Sequence, residues 1–478
     1  MAKLTGNPMQ IPAGREGLAD YIPTKDRNAP PYFAGRKRLL SDIEDACMAV
    51  WGRHEIKRTQ IKGSTWMIYG APGAGKSSIL EYLQYAWQQG AYMTLDASGR
   101  ERSGPTPALL NCDSGELHSL EDFCEKLADF VSKGQADKLF AQISKTMRVR
   151  GGGSVGFIEG SIEHERTKQY DAAKASLSAI VNVLSHSKLK RPLVIGIDEA
   201  QNLPRDPLSP EGLFLRAMHA NQVNLPVIVL LAGLSDTKMR IRELGLSRLS
   251  RDNVYSLNGL DTAEVAELKV GFCAHFEIDL DRHSDEFDAL LQRTDGWAAH
   301  LQNCLQAFSE VYLEAQCKIE AVDFARVEQL SLASRMSYYH ARRSNAMKDS
   351  EGLLGMLMEQ LTGSEERGNV LDMIQRIADD NAGSRSRIKK LPPGMSADDY
   401  YNDLIQSGAL QERDDDKVIC PIPSFRQFLI ESSKPVTGAG SADGTGHSMR
   451  GAPPQLHYGF TWDALQRIEA AHEIQAAS

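Results

Sequence analysis

The chain predicts an α/β fold in its first half: a parallel sheet covered by helices on both faces. Three observations predict it. Between about 65 and 235, apolar strand-like runs alternate with helical runs. One of these strand-to-helix passages carries Gly70-Ala71-Pro72-Gly73-Ala74-Gly75-Lys76-Ser77, which fits the phosphate-loop pattern G-x-x-x-x-G-K-[ST] at every fixed position. A later apolar strand, Leu193–Ile197, runs straight into Asp198-Glu199.

The phosphate loop sits where its mechanism requires. Trp66–Tyr69 leads in as a strand, and Ser77–Leu83 leads out as a helix. Glycines let the backbone wrap a phosphate closely, and the N–H groups at the helix start, through Ser78, point at it. Lys76 is expected on the β- and γ-phosphates, and the Ser77 hydroxyl on Mg²⁺. Asp198 adds a carboxylate to the metal shell, while Glu199 is placed to orient or deprotonate an attacking water. Together the two motifs predict ATP binding with Mg²⁺ and hydrolysis to ADP and phosphate.

The other elements follow in order. Residues 1–30 are rich in Pro and Gly and read as an extended segment. Leu39–Trp51 reads as a helix. Strands are expected at Thr65–Tyr69, Ala108–Asp113, Leu193–Asp198 and Val227–Ala232, with a further one at Ala91–Ala97. Helices are expected at 75–88, 119–133 and 167–186; in the last, Tyr170, Ala173, Leu177, Ile180, Val181 and Leu184 keep helical spacing. Arg148 to Ile162, with three consecutive glycines, reads as a loop or hairpin inserted before the acidic strand. Residues 251–335 carry helical patterns only, 350–432 form another small unit, and 433–458 read as a Gly/Ser/Pro-rich linker before a short amphipathic helix at Thr461–Ala476.

Composition excludes several classes. The net charge of −9 rules out a polycation, so any nucleic-acid contact needs a local basic patch. No early segment resembles a signal peptide, and the longest apolar run, around Val227–Leu231, is too short to span a bilayer. The seven cysteines lack C-x-x-C spacing and suit a reducing cytosol, and the twelve histidines form no ligand-spaced cluster, so no zinc site is expected. The expected location is cytoplasmic.

The order of motifs resembles AAA+ ATPases, in particular the branch with origin-recognition/Cdc6 proteins and the transposition or secretion ATPases of the TniB and ExeA kind. Five pieces, spanning about residues 30–335, carry the resemblance. Phe33-Ala34-Gly35-Arg36 resembles a motif that packs near the adenine. Gly70–Ser77 matches Walker A and Ile197–Gln201 matches Walker B. Ala232-Gly233-Leu234-Ser235-Asp236 matches the strand end that carries the first sensor, which implies a catalytic role for Asp236. Arg248-Leu249-Ser250-Arg251 falls where an arginine finger is expected, so Arg248 or Arg251 would reach the nucleotide of a neighbouring subunit in a ring or filament. Ser235 and Asp236 also suit a helix cap. The resemblance implies an ATP-binding core at 31–250 with an insertion at about 97–165, and a helical lid at 251–335.

One departure has consequences. The family's lid usually carries a second sensor arginine just after a glycine; here Asp295-Gly296-Trp297-Ala298-Ala299-His300 places alanine there. Slow hydrolysis or a nucleotide-gated switch is then expected rather than a fast motor. The unit at 350–432 resembles a winged-helix domain, with Asp398–Ser407 as its recognition helix and the turn Glu412–Lys417 as its wing. Both are acidic, so the unit is expected to contact protein or to autoinhibit rather than to read DNA. Residues 145–165, with Arg148 and Arg150, are the expected DNA contact, as a channel hairpin or a plain surface loop. The C-terminal tail (433–478) is expected to dock an effector or client.

The favoured function is an ATP-dependent AAA+ switch that acts on DNA with a partner enzyme, in transposition, loading or phage defence. Two alternatives stand beside it: a signalling NTPase that controls a protein effector without DNA, and an ATP-bound scaffold that does not hydrolyse.

Overall fold

The computed structural model describes residues 13–21, 33–55, 63–88, 94–95, 101–102, 107–120, 192–221, 225–246, 249, 251–343, 350–361, 363–381, 390–413 and 417–433, together with scattered positions between 122 and 130 and between 177 and 184. A short helix α1 (Glu16–Tyr21) and a long one, α2 (Lys37–Glu55), precede strand β1 (Ser64–Tyr69) and helix α3 (Lys76–Gln88). Then come β2 (Ala108–Asp113), β3 (Leu193–Asp198), α4 (Pro210–Ala220), β4 (Val227–Gly233), α5 (Thr237–Glu243) and β5 (Val254–Ser256).

The five strands form one sheet in the order β2-β3-β4-β1-β5, and every pairing is parallel. β4 shows why a parallel sheet forms. All seven of its residues are buried, as expected of a strand covered on both faces. Alternate residues feed two cores. Trp66 and Ile68 pack with α2 and α3 on one face, while Met67 and Tyr69 join Phe123, Leu127, Ile180, Phe214 and Ile241 on the other. The acidic strand end is fixed by register, with Asp113 opposite Asp198.

Four helices follow: α6 (Thr262–Phe276), α7 (Ser284–Gln292), α8 (Ala298–Glu314) and α9 (Phe324–Arg342). Asp261 opens α6 with a reciprocal capping box to Glu264. Their core, centred on Phe272, Phe287 and Phe308, also takes in Leu18 and Tyr21 from α1.

The last unit holds α10 (Glu351–Gln360), a strand β6 (Glu365–Glu366), α11 (Arg367–Asp380), α12 (Ala397–Ser407), β7 (Gln411–Glu412), β8 (Lys417–Ile419) and α13 (Pro423–Ser432). Strands β6, β8 and β7 make a small antiparallel sheet. The core of this unit is continuous with the α2/α3 side of the main sheet; Leu353, Tyr401, Val418 and Phe425 belong to the same apolar cluster as Ile68 and Leu80. Among the described residues no helix is long and apolar enough to cross a membrane.

Three expectations need correction. The described part of residues 1–30 is helical rather than extended. Leu18 and Tyr21 are fully buried, and the Tyr21 ring packs against Phe272 and Phe276 at 5.9 and 5.5 Å, so apolar burial fixes this stretch despite its Gly and Pro neighbours. The region after 251 is not purely helical, because Val254–Ser256 pairs with Met67–Tyr69 as an edge strand. A three-residue strand is too short to show period-two alternation. The described part of the expected strand at 91–97, Thr94–Leu95, pairs with Glu101–Arg102 outside the main sheet. The insertion at 145–165, the linker and the C-terminal helix lie outside the described residues.

Candidate nucleotide-binding site

The loop between β1 and α3 is shaped by glycines that no other residue replaces at low cost. Gly73 and Gly75 have φ of +78° and +92°, in the left-handed region. A Cβ on Gly73 would lie 2.9 Å from the Ala299 Cβ, and one on Gly70 would lie 2.9 Å from the Leu257 carbonyl oxygen. The loop is pinned at its start by Gly70 N–H donating to Gly233 O at 3.2 Å.

Lys76 opens α3 and is 8% exposed. Its Nζ donates to the loop's own carbonyls, Gly70 O at 3.0 Å and Ala71 O at 3.2 Å. Burial pushes its pKa down to about 8; Glu199 and Asp198 oppose the shift and the Arg342 charge adds to it. An ammonium held in a buried cradle beside two carboxylates is suited to grip a polyphosphate.

A cavity of about 510 Å³ opens from this cradle. Its wall runs from Gly73–Ser78 and Glu199 to an apolar end built from Tyr21, Phe33, Leu260, Leu268 and Leu305. Phe33 is stacked on Tyr82 at 4.2 Å. Arg36 also lines the cavity, with a positive φ of 56°. Its backbone N–H donates to Glu264 Oε1 at 2.6 Å, and its guanidinium donates to the Asn258 carbonyl. Arg36 thus ties the sheet domain to the start of α6.

At the end of β3, Asp198 is half-buried and Glu199 is exposed, in a left-handed conformation with φ 50° and ψ 37°. Glu199 N–H donates to Asp198 Oδ1 at 2.9 Å. The Glu199 carboxylate accepts from Gln201 Nε2, and Gln201 Oε1 accepts from Leu234 N–H at 3.0 Å. Gln201 therefore ties the carboxylate to the end of β4, where the first sensor is expected. Within that segment Leu234 lines the cavity and Asp236 does not. Asp236 sits at the N-cap of α5 without a side-chain capping bond, and burial raises its pKa against the pull of Arg240. Arg248 and the side chain of Arg251 lie outside the described residues.

The four helices α6–α9, which stand where the resemblance leads one to expect a lid, press directly on the loop. Ala299 N–H donates to Gly73 O at 3.1 Å, and the Ala298 Cβ lies 3.4 Å from where a Gly75 Cβ would be. Ala298 and Ala299 stand where the resemblance leads one to expect arginine; both are half-buried and line the cavity. His300 is fully buried, edge-on to Tyr338 and Tyr339, and burial lowers its pKa to about 3. It packs the lid and is not placed to bind phosphate. From α9, Tyr338 donates its hydroxyl to Pro72 O, and one turn on the Arg342 guanidinium lies 5.0 Å from the Tyr338 ring centroid.

The last unit reaches the back of the same loop. Gln411 in β7 is fully buried; its Oε1 accepts from Ala71 N–H at 2.8 Å, and its Nε2 donates to Leu257 O at 3.1 Å and Ser256 Oγ at 2.8 Å. Gly408, at φ +80°, lies so close that an added Cβ would come within 2.5 Å of Pro72 Cδ. The Asp295 carboxylate, three residues before Ala298, accepts from the backbone N–H of Ser424 at 2.9 Å and from its hydroxyl. Tyr21, Gln201, Tyr338, Arg342 and Gln411 had no role in the sequence reading. Only Gln201 had a local signal, as part of the acidic motif.

A parallel sheet whose central strand runs through a glycine cradle into a helix, with a buried lysine facing an acidic strand end, decides the fold. The chain has the fold of an α/β P-loop NTPase. No protein-family model matches it, and no curated protein does. Solved structures that this P-loop NTPase is similar to include the Walker-type ATPase of Pyrococcus abyssi, at 14% identity and TM-score 0.42, covering 81% of this chain and 95% of that one. The ORC2 protein of Aeropyrum pernix, solved as ADPNP and ADP complexes, matches at 14% identity and TM-score 0.45, over 84% of this chain and 94% of that one. The ORC1 protein of Aeropyrum pernix, solved with DNA, matches at 12% identity and TM-score 0.38, over 88% and 95%.

Proposed function

We propose that this chain is an ATP-dependent switch of the AAA+ kind, in which ATP is held between sheet domain and lid, drives assembly at subunit interfaces, and is hydrolysed to reset the assembly. The observation that carries this reading is the three-sided grip on the phosphate loop: Lys76 from its own helix, Ala299 and Tyr338 from the lid, and Gln411 from the C-terminal unit. A loop bonded to two other units is built to pass its state on to them.

The residues fit the nucleotide and its metal. The Gly73/Gly75 cradle takes phosphate oxygens, Lys76 supplies charge, and Tyr21 and Phe33 provide an apolar end for a base. Ser77 and Asp198 would hold Mg²⁺, which neutralises charge on the phosphates when bound. Glu199 would hold the attacking water and take its proton, with Gln201 fixing the carboxylate's direction.

The target we propose is DNA together with a partner enzyme, with Arg148 and Arg150 in the 145–165 insertion as the contact. The C-terminal unit, which we read as winged-helix-like, would take a protein partner. Helix α12 carries Asp398, Asp399 and Asp403 and no lysine or arginine, an unsuitable face for phosphate. A second reading, a signalling NTPase that holds an effector without DNA, is favoured by that acidic helix and by the Gln411–Ala71 bond. ATP turnover with and without duplex DNA, in wild type and in an Arg148→Ala/Arg150→Ala variant, separates them. The DNA reading predicts stimulation that the variant loses. DNA-insensitive turnover supports the signalling reading, and no turnover under any assembling condition supports a non-hydrolysing scaffold.

A further inference from the structure

We propose that Arg342 contacts the terminal phosphate of bound ATP from within the same subunit, reaching it from the last turn of α9 rather than from the position that Ala299 holds. The inference deepens the ATP reading of the site and rests on it.

Three cationic side chains line the cavity among the described residues: Arg36, Lys76 and Arg342. Arg36 is committed to the Asn258 carbonyl at the sheet-to-lid joint. Lys76 belongs to the phosphate loop itself. Arg342 forms no ion pair with a carboxylate among the described residues; it meets Tyr338, over the face of the ring and through a side-chain hydrogen bond. Tyr338 is in turn anchored to the loop through Pro72 O. The guanidinium therefore hangs over the cavity from a support that is itself bonded to the phosphate cradle.

Its charge also reaches the right place. Arg342 acts on Lys76 alongside Glu199 and Asp198, the residues that would face the γ-phosphate. Among the described residues this third cation has no carboxylate to satisfy, whereas a triphosphate brings oxygens in a fork that a guanidinium matches. Because α9 ends at Arg342 and runs on toward the C-terminal unit, a bond from Arg342 to phosphate would also pull that helix end when ATP replaces ADP.

The test compares Mg²⁺-supported affinities of the full chain for a non-hydrolysable ATP analogue and for ADP, in wild type, Arg342→Ala, Arg342→Lys and Lys76→Ala. Arg342→Ala is expected to lose about 10-fold or more in affinity for the triphosphate, the scale of a charge-assisted hydrogen bond, while ADP affinity stays within about 2-fold. Arg342→Lys should recover part of the loss. An equal loss for both nucleotides would assign Arg342 a merely structural role through Tyr338, and no loss for either would give it none; both results overturn the proposal. Wild type that binds neither nucleotide sinks the ATP reading as well. Wild-type binding that Lys76→Ala abolishes, with the triphosphate preference intact in Arg342→Ala, sinks the Arg342 proposal alone. Arg342→Gln keeps the stem over Tyr338 and gives the same readout if the alanine variant melts early.

Discussion

Replacing Gln411 with alanine should weaken the chain where the C-terminal unit is hydrogen-bonded to the phosphate loop. The side chain is fully buried and satisfies Ala71 N–H at 2.8 Å and Leu257 O at 3.1 Å. Ala71 and Leu257 are each 3% exposed, so water does not replace the lost partner. Each backbone group left unpaired costs about 1–3 kcal/mol, which puts Gln411→Ala at roughly 2–6 kcal/mol. Urea unfolding of the full chain measures the loss, and limited proteolysis should show the segment after about residue 350 cut first. Gly408→Ala is the companion: its φ of +80° and the Pro72 Cδ at 2.5 Å from the new Cβ predict the same detachment without touching a hydrogen bond. A loss below about 0.5 kcal/mol in Gln411→Ala, with an unchanged cleavage pattern, would refute the clamp.

Other expectations follow from the same geometry. Glu199→Gln should keep ATP binding, trap oligomers and lose turnover; residual turnover near wild type would remove Glu199 from the chemistry. Burial lowers Lys76 to about 8 in the nucleotide-free protein, so ATP affinity should fall by up to about 10-fold per pH unit above about pH 8, as the ammonium that phosphate needs is lost. Between about pH 8 and the unfolded value of 10.5, the unfolded chain holds the Lys76 proton and the folded one does not, so this group's contribution to stability rises with pH; titration of binding and melting from about pH 7 to about pH 9.5 checks both signs. Tyr21→Ala removes a fully buried ring from the lid core and from the apolar end of the cavity, and should cost about 3–5 kcal/mol together with nucleotide affinity. A calorimetric melt that barely moves would mean α1 is dispensable.

The sheet and the phosphate loop were legible in sequence because their signals are local. Strand, glycines, lysine and helix follow one another within twenty residues, and Leu193–Asp198 declares itself by continuous apolar character ended by acid. Residues that reach the cavity from afar had no such signal. Tyr21 comes from a segment whose composition looks extended, Arg342 from the last turn of a helix that otherwise packs the lid, and Gln411 from a two-residue strand. Each acquires meaning only when folding brings it to Ala71, to Tyr338 or to the apolar end of the cavity. The alanines at 298–299 are the instructive case. Sequence alone showed a missing arginine; the structure shows that Ala299 bonds to Gly73 through its backbone and that another cation, Arg342, lines the same cavity. β5 escaped notice because three residues paired to one side leave no periodicity to read.

The central claim is that this cradle holds ATP through Lys76 with Mg²⁺. Titrating ATP into the full chain, with Mg²⁺ and with a chelator, in wild type and Lys76→Ala, tests it most directly. The account predicts saturable binding that Mg²⁺ strengthens and Lys76→Ala abolishes. Absence of binding in wild type, or equal binding in Lys76→Ala, would contradict it.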